Sequence, residues 1–113
     1  MPDNCLFCRI ASGEIPSKKV AETTEAMAFR DIDPKAPTHI LVIPRTHVRS
    51  LAEASDPAML GDLLSFAASV ARSEKLDGSG YRVVINTGRD GGQTVDHLHL
   101  HVLGGRHMTW PPG

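Results

Sequence analysis

The sequence predicts an α+β fold: a mostly antiparallel sheet with one long helix and a short helix near the N-terminus. Three observations lead there. Five segments have strand character and two have helical character. Apolar residues recur at helical spacing over one long stretch only. The order of the segments, divided by glycine- and proline-rich turns, suggests a meander.

Residues 5–12 read as a short helix, ended by Gly13 ahead of "EIP". Residues 18–22 and 26–30 read as strands joined by a turn around Thr24 and Glu25. "DIDPKAPT", 31–38, is turn-rich and carries two prolines. "HILVIP", 39–44, is an apolar run of strand length bounded by prolines, which predicts a buried strand. The long helix follows. Asp56 is its expected cap and Pro57 suits its first turn. Met59, Leu60, Leu63, Leu64, Ala67, Val70 and Ala71 form one apolar stripe, and "LDGSG" ends the helix. "YRVVIN", 81–86, is a β-branched strand, "GRDGGQT", 88–94, a glycine-rich loop, and "VDHLHLHVLGG", 95–105, the last strand. The prolines of the tail, "RHMTWPPG", stop regular structure there.

The 113 residues suit one domain, 1–113, and 41% of them are apolar. A net charge of −1 supplies no basic field for a nucleic-acid polymer. No apolar run approaches the roughly 18 residues that span a membrane. The opening, "MPDNCLFCRI", lacks the blocks of a signal peptide, so a cytoplasmic location is expected. In a reducing compartment the C-x-x-C pair, Cys5 and Cys8, suggests metal or redox chemistry before a structural disulfide.

"DHLHLHVLGG" carries three of the six histidines at alternate positions: His97, His99 and His101. Strand alternation turns them to one face and Leu98, Leu100 and Val102 to the core. Neighbouring imidazoles are then roughly 6.6–7 Å apart along the strand. Three readings compete: a catalytic cluster, a metal site, or a strand with a polar outer face. Alternate positions on one strand do not converge three imidazoles on one ion. Two features favour catalysis. Gly91 and Gly92 in the preceding loop let backbone N–H groups approach a phosphate. An imidazole attacks phosphorus well when its other nitrogen is held by an acceptor.

"HLHLHVL" resembles the H-φ-H-φ-H-φ-φ signature of the histidine triad family. "DIDPKAPTHILVIPRTH", "NTGRDGGQTVDHLHLHVLGGR" and the terminal "WPPG" are similar to its nucleotide-binding branch, and the likeness runs from "CLFCRIASGEIP" to the end. The resemblance implies a five-stranded antiparallel sheet that dimerises with a second copy. It implies binding of purine nucleoside monophosphates and hydrolysis of their phosphoramidates through a nucleotidyl-histidine. His99, the middle histidine, is then the nucleophile; His101 and His39 face the phosphate. Asp31 accepts bonds from the ribose, and Ile32, Phe7 and Phe29 line the base pocket. Asn86, Gly92, Gln93 and Thr94 belong to the phosphate and leaving-group shell. Taken alone, Asp31 is more simply a turn residue of "DIDP" and Asn86 a strand end. Thr94 stands where the branch usually has serine and keeps the hydroxyl. Asp96 replaces a common aromatic and points away from the histidines.

A C-x-x-C at a helix start supplies two thiolates at the spacing one tetrahedral ion needs, and two histidines from elsewhere would close the site. Cys5, Cys8, His47 and His97 are therefore expected to bind structural zinc, as in microbial relatives with this opening. The competing reading makes the cysteines small buried hydrophobes and His47 a solvated loop residue. For the whole protein, two rivals remain: a dinucleoside polyphosphate hydrolase using the same His99, and a nucleotide-binding adaptor with little turnover.

Overall fold

The computed structural model of the chain describes residues 4–113; residues 1–3 of the opening stretch lie outside the described residues. Helix α1 (Leu6–Ala11) opens on Cys5, whose sulfur accepts the Cys8 N–H at 3.3 Å and so caps the first turn. Strands β1 (Lys19–Glu22), β2 (Ala26–Arg30) and β3 (Thr38–Pro44) follow. A 3-10 turn over Leu51–Glu53, absent from the sequence-based expectation, leads into α2 (Pro57–Ser73). Asp56 caps α2 by accepting the Ala58 N–H at 3.0 Å, with Pro57 in the first turn as expected. Then come β4 (Tyr81–Val84), the single turn α3 (Gly88–Gly91) and β5 (Leu100–Gly104).

The five strands form one antiparallel sheet in the order β1-β2-β3-β5-β4. The expected meander holds through β3 only, because β5 inserts between β3 and β4. Every backbone bonding edge of β3 and β5 is thereby used, and both strands sit at the centre of the sheet.

Alternation sorts the core into two layers. Ala26, Ala28, Ile40, Val42, Leu100 and Val102 face α2 and meet its Leu63, Ala67, Val70 and Ala71. Met27, Phe29, Leu41 and Ile43 face the other way and meet Phe7, Cys8 and Ile10 of α1. "HILVIP" is continuously apolar because both its faces are covered. Of the α2 stripe, Leu64 lies outside the buried set and is exposed. At the exit of β5, Gly105 has φ +90°, and a Cβ there would lie 2.8 Å from Pro37 Cβ. Only glycine is at ease in that combination.

The last strand is shorter than predicted. Residues 95–97 bend and regular pairing begins at Leu100, so His97 and His99 precede β5. "YRVVIN" is likewise paired only through Val84, and the expected loop at 88–94 contains α3. The glycines of that loop permit a tight turn whose αL exit falls at Gly92, φ +83°.

Candidate active site and metal cluster

Register brings the histidines together. Leu41 pairs with His101 and His39 with Leu103, so His39 and His101 are diagonal neighbours on the α1 face of the sheet. His39 Nε2 and His101 Nδ1 lie 2.9 Å apart. The backbone N–H of Lys35 donates to His39 Nδ1 at 3.0 Å, so neutral His39 carries its proton on Nε2. That proton goes to His101 Nδ1, which leaves His101 with its own N–H on Nε2. Asp31 Oδ2 stands 3.4 Å from His39 Nε2, a weaker contact to the same edge. Burial, reinforced by His99 and His39 nearby, pushes the His101 pKa down to about 4. Burial also lowers that of His39, against the pull of Asp31. Both rings are thus neutral near pH 7, in fixed tautomers.

His99 Nδ1 donates to the carbonyl oxygen of His97 at 2.7 Å. The lone pair of neutral His99 is therefore on Nε2. Its ring stacks edge-on with Phe7 at 5.1 Å and lies 5.0 Å, centroid to centroid, from His101. The expected spacing of roughly 6.6–7 Å assumed a straight strand. Nor is this face solvated: His97 is fully buried, and His39 and His99 are buried.

A cavity of about 930 Å³ opens over these rings. His39, His99, His101 and Thr94 line it together with the apolar Phe7, Phe29 and Leu41. Asp31 and Ile32 are at the rim, where Ile32 is fully exposed and Asp31 Oδ1 accepts the Asp33 N–H at 2.8 Å. Asn86, Gly92 and Gln93, expected around the phosphate, are not brought to this wall. Gln93 ties its loop to the segment after β3: its amide oxygen takes the Gly88 N–H and its NH2 donates to Arg49 O and Val95 O. Leu6, Ile10, Ile15 and Val95 also line the cavity and were not anticipated. Ile10 was within reach of the sequence, since it follows Phe7 by three positions on one helix face.

The second cluster lies on the far side of His97. Cys5, Cys8, His47 and His97 place their ligand atoms within 4.8 Å of one another. His97 Nδ1 is 3.3 Å from Cys5 Sγ, 3.5 Å from Cys8 Sγ and 3.2 Å from His47 Nδ1, and Cys8 Sγ is 3.3 Å from His47 Nδ1. A tetrahedral ion with bonds of about 2.0–2.3 Å holds its ligand atoms roughly 3.3–3.8 Å apart, so these separations fit. The tautomer fits too: His97 Nε2 donates to Pro44 O at 2.8 Å, which frees the Nδ1 lone pair for an ion. Burial and Cys5 push the Cys8 thiol up to about 11, so a cation is what would stabilise two thiolates here. The cysteines are buried as the competing reading required, yet they face two imidazoles rather than hydrocarbon alone. Asp31, His39 and His101 also lie close enough for an ion, but the Lys35 bond keeps a proton on His39 Nε2. That group is a hydrogen-bond chain, not a ligand set.

Comparison with known proteins agrees with the geometry. The family model described as the HIT domain matches residues 12–108. The chain is 51% identical over 112 residues to the 14 kDa zinc-binding protein of Zea mays, covering 96% of this chain and 87% of that one. A HIT family hydrolase from Legionella pneumophila Philadelphia 1 superposes with a TM-score of 0.95 at 51% identity, over 97% of this chain and 100% of that chain. The histidine triad nucleotide-binding protein from Candida albicans superposes at 0.84 with 38% identity, over 96% and 83%. With its sequence signature, its sheet and its histidine cluster all in agreement, the chain belongs to the histidine triad, or HIT, family.

Proposed function

We propose that the protein is a purine nucleotide-binding hydrolase that cleaves the P–N bond of nucleoside 5′-phosphoramidates through a nucleotidyl intermediate on His99. The observation that carries this reading is the 2.7 Å bond from His99 Nδ1 to the His97 carbonyl, which leaves a nucleophilic Nε2 on a ring lining the cavity. The Candida relative's name, a nucleotide-binding protein, and the Legionella relative's, a hydrolase, support the same class.

The nucleoside lies against Phe7, Phe29 and Leu41, with its ribose toward Asp31 and its phosphate over His99 and His101. His99 Nε2 attacks the α-phosphorus. The P–N bond breaks, and the amine leaves with its electron pair and takes a proton through the Thr94 hydroxyl from solvent. Charge on the phosphate oxygens is met by His101 Nε2–H, polarised through the chain Lys35 N–H, His39, His101. Water then attacks phosphorus, the bonding pair returns to His99, and a water proton passes to solvent, giving the nucleoside monophosphate.

The four-donor cluster holds zinc in this reading, as the name of the maize relative suggests. Bound zinc would join α1 to the segments carrying His47 and His97 and take no part in the chemistry. The protein acts as a homodimer, which would cover an edge of its open sheet.

The test is turnover of adenosine 5′-phosphoramidate beside a dinucleoside polyphosphate, with metal content measured on protein purified without chelator. Faster release of AMP and amine from the phosphoramidate is expected. Preference for the polyphosphate would replace the reaction, and binding without turnover of either would leave an adaptor.

A further inference from the structure

Two pieces of chain connect the metal cluster to the cavity. The first is α1. Its N-cap Cys5 and its Cys8 belong to the cluster, whereas Leu6, Phe7 and Ile10 of the same six-residue helix line the cavity. A helix this short does not persist by itself in water. The Phe7 ring links both sites, 6.0 Å from the His97 ring and 5.1 Å from that of His99.

The second piece is His97 itself. Its imidazole contributes Nδ1 to the four donors, and its carbonyl oxygen holds the His99 ring at 2.7 Å. Its own N–H is held by Val95 O at 2.9 Å, and Val95 lines the cavity. A displaced His97 side chain would turn this peptide and move the acceptor that sets the His99 ring.

We propose that a metal ion on Cys5, Cys8, His47 and His97 sets both the α1 wall and the His99 ring, so that metal binding and nucleotide binding are thermodynamically coupled, with His97 as the positioning residue. This rests on the nucleotide reading above. Coupling of this kind is reciprocal: the factor by which the ion tightens the nucleotide is the factor by which the nucleotide tightens the ion. The expected factor is on the order of tenfold, within the usual range for coupled sites. An ion that merely stabilised the fold would leave the nucleotide affinity of folded protein unchanged.

The experiment uses the full chain loaded with zinc, loaded with cobalt(II), and stripped by a chelator. AMP binding is measured calorimetrically on the zinc-loaded and the stripped, still-folded protein. The visible bands of the cobalt protein, which report ligand geometry, are recorded with and without AMP. The coupling predicts roughly tenfold weaker AMP binding after stripping, and cobalt bands that shift when AMP binds. The cobalt measurement decides the matter alone if the stripped protein unfolds. Equal affinities with unmoved bands, or unmoved bands where stripping unfolds the protein, would overturn the coupling and leave the nucleotide reading standing. No AMP binding to the loaded protein would remove both, and failure to take up either metal would remove the coupling.

Discussion

His99 is buried and His101 half-buried among rings, yet their tautomers give them different work. His99 spends its N–H on a carbonyl and keeps a lone pair for the cavity. His101 accepts from His39 and keeps an N–H. Replacing His99 by Ala should lower phosphoramidate turnover by at least ~10³, because the covalent path is lost and not one supporting bond. AMP affinity should change little, since Phe7, Phe29 and Asp31 are untouched; a variant with near-full turnover would end the assignment. His101 makes a second prediction, on stability. Its folded pKa of about 4 lies below the usual 6.5, so between those values the unfolded chain binds a proton that the folded chain does not. Stability due to this group is therefore intact above pH 6.5 and declines as pH falls toward 4. In urea titrations the advantage of wild type over His101→Gln should shrink across that window. Comparison with the variant cancels acid effects common to both proteins. A constant difference would contradict the shifted pKa.

The helices differ in what holds them. α2 is long, capped and packed along one stripe; its Leu63, Ala67, Val70 and Ala71 close one face of the sheet. The Asp56→Ala substitution removes the acceptor for the Ala58 N–H and should cost about 1 kcal/mol, read as a lower urea midpoint with unchanged slope. Turnover should be unaffected, because α2 lies across the sheet from the cavity. α1 has six residues, a sulfur cap and no acidic residue in its first turn. Its place depends on Phe7, Cys8 and Ile10 against Phe29, Leu41 and Ile43, and on whatever the two sulfurs bind.

At the scale of the molecule, the sheet ends in two edges, β1 and β4. On β4, Tyr81 is exposed, and Arg82 lies 5.9 Å from the centre of the Trp110 ring, itself 81% exposed. Leu64 adds an exposed apolar side chain on α2. An open edge with large apolar side chains is a liability that a second copy can cover. Sedimentation at micromolar concentration should find a homodimer; monomer alone would count against the proposal.

Much of this protein was legible from local pattern. Alternation in "HILVIP" and "HLHLHV", the helical stripe from Met59 to Ala71 and the Asp56-Pro57 start are short-range signals, written by backbone geometry that repeats every two or 3.6 residues. They placed five strands and two helices and set three histidines at alternate positions, and the family resemblance supplied the roles of His99, His39 and His101. Tertiary structure decided the rest. Nothing local inserts β5 between β3 and β4, and that insertion alone sets His39 diagonally beside His101. Nor does sequence spacing reveal that His97, a triad member, turns its ring to Cys5, 92 positions away, while its carbonyl holds His99. The bend over residues 95–97 allows both. It follows from what each polar atom of His97 can pair with once buried, since Pro44 O, Val95 O, two sulfurs and two imidazoles converge only in the folded chain.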